Sequence, residues 1–108
     1  VEAELFVQIS TDNQIKSDAE SNARLEERVR AKLRRFEQRL TRVEIHIEDV
    51  NGAKGGDADK RVSLEARVNG HESVAVHAEA DRVDNAVALA ADKAVRALGH
   101  TLGKLKAH

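Results

Sequence analysis

The chain has 108 residues, and its 18 Lys and Arg against 19 Asp and Glu leave a formal net charge of −1. That excludes a uniformly basic nucleic-acid binder but leaves room for a basic face on a neutral body. With no Cys, Met, Trp or Tyr and only two Phe, it lacks a disulfide framework and a thiolate metal site, as suits a cytoplasmic protein with an aliphatic core.

The length predicts one domain over 1–108. The chain opens on Val1 rather than Met, so a trimmed or processed start is expected. No apolar run approaches the roughly 18 residues of a membrane span, and no signal-peptide core opens the sequence. No membrane partner is expected.

Ala3, Leu5, Val7 and Ile9 alternate with Glu2, Glu4, Phe6 and Gln8, the pattern of a first strand. Phe6 falls on its polar side, either as a lone surface residue or as a stacking platform for a base. Thr11 to Asn22 is a polar connection, in which Asp18 or Ser21 is placed to cap a helix. From Arg24 to Leu40 the apolar residues Leu25, Val29, Leu33, Phe36 and Leu40 fall within an arc of roughly 80°. This predicts one amphipathic helix. Arg24, Arg28, Lys32, Arg35 and Arg39 gather in a flanking arc of about 80°, and Glu26, Glu27 and Glu37 lie on the other flank.

After Thr41 the period changes to two. Val43, Ile45 and Ile47 alternate with Arg42, Glu44, His46 and Glu48, as a half-buried strand requires. Asn51 to Asp59, with Gly52, Gly55 and Gly56, reads as a hairpin loop. It lacks the Gly-Lys-Ser/Thr ending of a phosphate-binding loop, although Lys54 or Lys60 is a candidate for a single secondary phosphate contact. Val62, Leu64, Ala66 and Val68 give a third strand, Asn69-Gly70 a two-residue hairpin signal, and Val74, Val76, Ala78 and Ala80 a fourth strand.

The last helix is predicted from about Val83 to Lys104. Its apolar side is Val83, Val87, Ala90, Ala91, Ala94, Leu98, Leu102 and Leu105, with Arg82, Lys93, Arg96, His100 and Lys104 clustered on the flank. Gly99 and Gly103 weaken its end by about 1 kcal/mol each relative to Ala. Fraying is expected there, together with room for close approach.

The order β-α-β-β-β-α predicts an α+β two-layer sandwich. Both helices cover the apolar face of a four-stranded mixed sheet, as in a double-stranded-RNA-binding domain with an extra leading strand. The crossover through the first helix makes strands one and two parallel, and strands two to four form an antiparallel meander.

Two His-x-Glu pairs, His46/Glu48 and His77/Glu79, fall on the polar sheet face and have the nitrogen and carboxylate donors of a zinc site. A strand lies between them, about 10 Å across, so no metal, cofactor or paired-carboxylate chemistry is expected. The serines show no nucleophile spacing, and neither an enzyme activity nor a small-molecule substrate is predicted. One helix with a charged flank is usually just solvated. Two helices with segregated basic flanks in one layer point instead to phosphate contacts. The scarcity of aromatics favours folded RNA read by shape and backbone over a stacked single strand.

The stretch Ala31-Lys32-Leu33-Arg34-Arg35-Phe36-Glu37-Gln38, running into Arg42-Val43-Glu44-Ile45-His46-Ile47, resembles the helix-to-strand junction of the ribosome hibernation-promoting factor/RaiA family. Asp92-Lys93 with Arg96 and Leu98 resembles that family's last-helix signature. Ala53-Lys54-Gly55-Gly56-Asp57, Asp59-Lys60-Arg61 and Glu65-Ala66-Arg67 resemble its short single-domain branch.

The resemblance implies a translation inhibitor that occupies the mRNA and tRNA channel of the small ribosomal subunit, near the decoding site, and preserves idle ribosomes. Lys32, Arg35, Lys93 and Arg96 match basic family positions, and His100 stands where lysine is common. Arg24, Arg28, Arg39 and Lys104 join them from helical geometry. Asp84 replaces a frequent aromatic, Ala88 a frequent acidic residue, and Gly99, Thr101 and Gly103 dilute the basic C-terminal segment. These departures favour the alternative, a protein-interaction module that keeps the fold without the ribosome.

Overall fold

The computed structural model describes residues 5–11, 19–49 and 60–106, with side chains described through Gly103. Along the chain run β1 (Val7–Thr11), α1 (Ala19–Lys32), a 3-10 segment (Arg34–Arg39), β2 (Leu40–Asp49), β3 (Lys60–Val68), β4 (Val74–Ala80) and α2 (Val83–Lys106). The sheet order is β1-β2-β3-β4, with β1 parallel to β2 and the other pairs antiparallel. This is the predicted β-α-β-β-β-α order and mixed sheet.

Period-two alternation puts Val7 and Ile9 of β1, Val43, Ile45 and Ile47 of β2, and Val62, Leu64 and Ala66 of β3 on one buried face. The helices close over it. Val29 of α1 and Leu33 just after it descend onto it, while Ala86, Val87, Ala90, Ala91, Ala94 and Leu98 come from α2. The run of alanines lets α2 lie close to β3 and β4, and Leu98 is wholly buried.

Three local features depart from the sequence expectation. The helix predicted over Arg24–Leu40 starts earlier and stops sooner. The amide of Leu33 makes the last α-type bond, to the Val29 carbonyl, and Phe36 N–H then bonds to Leu33 C=O, three residues back. Leu33 itself sits at φ −96°, ψ 7°, off the helical region. The tighter winding brings Phe36 into the core and delivers Leu40 to the head of β2, where the ladder shifts register between Leu40 and Arg42. Ser21 is the third residue of α1 rather than its cap, and Asp18 lies outside the described residues.

The β3–β4 connection is wider than the Asn69-Gly70 signal implied. Asn69 N–H is drawn to the Arg39 carbonyl at 2.8 Å, Gly70 takes φ +76°, and β4 begins only at Val74. This bond ties the hairpin to the end of the 3-10 segment. At the other end of the chain, α2 is helical through Gly99 and Gly103 to Lys106.

Candidate nucleic-acid interface

Charge is distributed differently on the two layers. On the open face of the sheet, Arg42 pairs with Glu44 at 3.0 Å, and Arg67 reaches Glu65 at 3.6 Å and Glu44 at 3.9 Å. Arg42 also donates to Gln8 Oε1 and lies 5.1 Å from the centre of the Phe6 ring. Phe6, the exposed aromatic, is therefore engaged by an arginine on the face opposite the helices. The next row across this face is Ser10, His46, Ser63 and His77, with Ser10 Oγ 3.1 Å from His46 Nδ1. β3 separates the two histidines by about 10 Å, and no group of metal-ligating side chains forms among the described residues.

The helical layer is arranged otherwise. α1 and α2 run side by side in the same direction, as three meetings along the seam show. Near its start Ser21, Arg24, Leu25 and Arg28 form a recess with Asp84 of α2. Midway, Lys32 Nζ is paired with Asp92 Oδ1 at 2.5 Å. Beyond it the 3-10 residues Arg35, Phe36 and Arg39 face Gly99, Leu102 and Gly103. The basic flank predicted for the first helix is thus the flank that faces α2. Because the chain changes to 3-10 winding, Arg35 and Arg39 are about 120° apart around their axis rather than 40°, yet both border the same groove.

On α2 the candidates separate. At about 100° per residue, Arg96 lies some 40° beyond Asp92, His100 some 80° and Lys93 about 100°. Lys93 accordingly turns to the sheet's edge, where its ammonium donates to the His77 carbonyl at 2.9 Å. Of these three, Arg96 is the one whose direction lies closest to that of Asp92, the residue that reaches α1.

Arg24, Arg28, Arg35, Arg39 and Arg96 are exposed and make no hydrogen bond or ion pair with a described residue. Lys60, the secondary candidate, pairs with Asp49 at 3.5 Å. Lys54 and the Lys104 side chain lie outside the described residues.

Two features were not anticipated. Arg30, left out of the basic stripe, anchors α1 by donating to the Leu5 carbonyl at 3.0 Å and to Glu27. Asp92 engages a cation of the stripe; its 60-residue separation from Lys32 in sequence hid that pairing.

Residues 7–106 match the family described as sigma 54 modulation protein / S30EA ribosomal protein. The chain belongs to that family. No curated protein gives a significant match. Among solved structures, the chain is similar to a ribosomal subunit interface protein from Coxiella burnetii. That likeness has a TM-score of 0.62 at 20% identity, over 96% of this chain and 100% of that one. It is also similar to the N-terminal domain of Protein Y from Thermus thermophilus, with a TM-score of 0.56 at 18% identity, over 87% and 93% of the two chains. At these identities the likeness shows the fold. The match to this family agrees with the resemblance carried by the helix-to-strand junction and by Asp92-Lys93.

Proposed function

We propose that this family member is a non-enzymatic, cytoplasmic, ribosome-associated translation inhibitor. It binds small-subunit ribosomal RNA near the decoding site through its helical layer, blocks the mRNA and tRNA path, and preserves idle ribosomes. The observation that carries the proposal is the row of unpartnered arginines along the α1–α2 seam and at Arg96, on a chain whose sheet-face Arg42 and Arg67 are neutralised in place. Exposed guanidiniums without carboxylate partners are free to replace the counterions of a phosphate backbone. Membership of a family that includes a ribosomal protein, and the likeness to a ribosomal subunit interface protein of Coxiella, support the ribosome as the bearer of that backbone.

The test is co-sedimentation of the domain with isolated small ribosomal subunits at low and high salt. Salt-sensitive binding is expected, and replacement of Arg35 and Arg96 by Glu should abolish it without unfolding the protein. Absence of binding at low salt would refute the proposal.

A second reading, a protein-interaction module, is favoured by Asp84 and Asp92 on the seam-facing flank of α2. It predicts a complex that responds far less to salt, because an interface resting on apolar contact releases few counterions.

A further inference from the structure

The seam between the helices is not electrostatically uniform. Asp84 lies across from Arg24 and Arg28 at its start, and Asp92 holds Lys32 at its middle. Beyond Lys32 the seam opens into a groove of about 380 Å³ lined by Arg35, Phe36, Arg39, Gly99, Leu102 and Gly103, with no carboxylate among them. The Arg35 guanidinium stacks over the Phe36 ring, 4.7 Å from its centre. Stacking fixes the plane of a guanidinium and leaves its N–H edge open to an oxyanion.

The two glycines need an explanation that the chain itself does not supply. A glycine in a helix costs about 1 kcal/mol relative to Ala. Neither Gly99 nor Gly103 has positive φ; among the described residues only Gly70 does. A Cβ at Gly103 would meet nothing within 4 Å, and one at Gly99 would meet only the Arg35 guanidinium, at an ordinary 3.7 Å. Neither backbone conformation nor internal packing requires glycine at these positions. What they provide is access: bare helix backbone beside two unpartnered guanidiniums, with Leu102 and Phe36 as apolar neighbours.

Resting on the ribosomal-RNA reading, we infer that this groove seats one sugar-phosphate unit of RNA. The phosphate is held between Arg35 and Arg39, and its ribose lies against the bare backbone at Gly99 and Gly103. The anion satisfies both forks, and the carbon face of the sugar covers Leu102. A side chain at Gly103 would occupy the place of the sugar while leaving every charge intact, so the contact is steric as well as electrostatic.

The experiment uses the whole domain with Gly103→Ala and Gly103→Leu, titrated with isolated small ribosomal subunits, and with thermal unfolding measured on each variant. Unfolding temperatures equal to or above the unsubstituted protein's are expected, because both residues favour helix over glycine. Affinity should fall in order of side-chain size, by at least tenfold for Leu, with the salt slope reduced by about one phosphate contact, 0.7–0.9. Three outcomes overturn the inference. If Gly103→Leu binds like the unsubstituted protein while Arg35→Gln and Arg39→Gln weaken binding, the RNA reading stands and the groove is not the seat of a sugar. If Gly103→Leu weakens a complex that does not respond to salt, the occupant is protein. If the unsubstituted domain fails to bind the subunits at all, both readings fall together.

Discussion

Replacing Lys93 and Arg96 one at a time by Gln separates two cations that sequence reasoning treats as equivalent. Both stand on the same flank of α2, but Lys93 is turned to the edge of β4 and donates to the His77 carbonyl, whereas Arg96 lies only about 40° around the helix from Asp92 and has no described partner. Suppose Arg24, Arg28 and Arg96 each meet one phosphate and Arg35 and Arg39 share a fourth. The slope of log K against log salt is then about −3, since each contact contributes roughly 0.7–0.9. Raising salt fourfold, from about 50 to about 200 mM, would weaken the complex by about 60-fold. Arg96→Gln should lower the magnitude of that slope by about one contact, and Lys93→Gln should leave it within about 0.2. Equilibrium binding to small subunits at four or five salt concentrations measures both slopes, and thermal unfolding checks that the loss of the Lys93 bond has not destabilised the fold. Equal slope decrements for the two variants would refute the reasoning. They would mean that ligand reaches the β4 flank of α2 and that the seam is not the axis of binding.

Asp92→Asn should free Lys32 and tighten RNA binding by up to about fivefold, the ~1 kcal/mol ceiling of an exposed ion pair; fluorescence titration reads this directly, and weaker binding would contradict it. Leu98→Ala removes a fully buried side chain where α2 meets the sheet, so urea unfolding should report a loss of about 2–5 kcal/mol. Phe6→Ala loses its stacking with Arg42 on the open sheet face. That should cost about 0.5–1 kcal/mol of stability and leave subunit binding unchanged, which the same titration tests.

The strands were legible because a half-buried strand must alternate, and Val43, Ile45, Ile47 and Val62, Leu64, Ala66 leave no second register that buries them. The junction after α1 was not. The spacing Leu33, Phe36, Leu40 is compatible with α and with 3-10 winding, and no Gly or Pro marks the change. Tertiary demand decides it, through the docking of Phe36 and the entry of Leu40 into β2. The basic candidates were legible as residue types on two helix flanks. Their division into engaged and open cations was not, because Lys32–Asp92 and Lys93–His77 are contacts between elements whose relative rotation no local pattern encodes.

That division also bears on the net charge of −1, which at first sight argues against an RNA partner. A formal sum weights every charge equally, but a ligand within reach of the seam meets a local field, since solvent charges are screened over about 8–10 Å. On the sheet face, Arg42 and Arg67 are neutralised by Glu44 and Glu65, so these residues add little to the field on either side. The seam of the helical layer is where the balance can be tuned, and there Asp84 and Asp92 set it. Asp84 tempers Arg24 and Arg28, and Asp92 occupies Lys32, while no carboxylate among the described residues lines the groove at the 3-10 end of the seam. A near-neutral chain with its acids placed in this way keeps the 3-10 end of the groove at full cationic strength. It would hold a phosphate backbone where shape brings one into the groove.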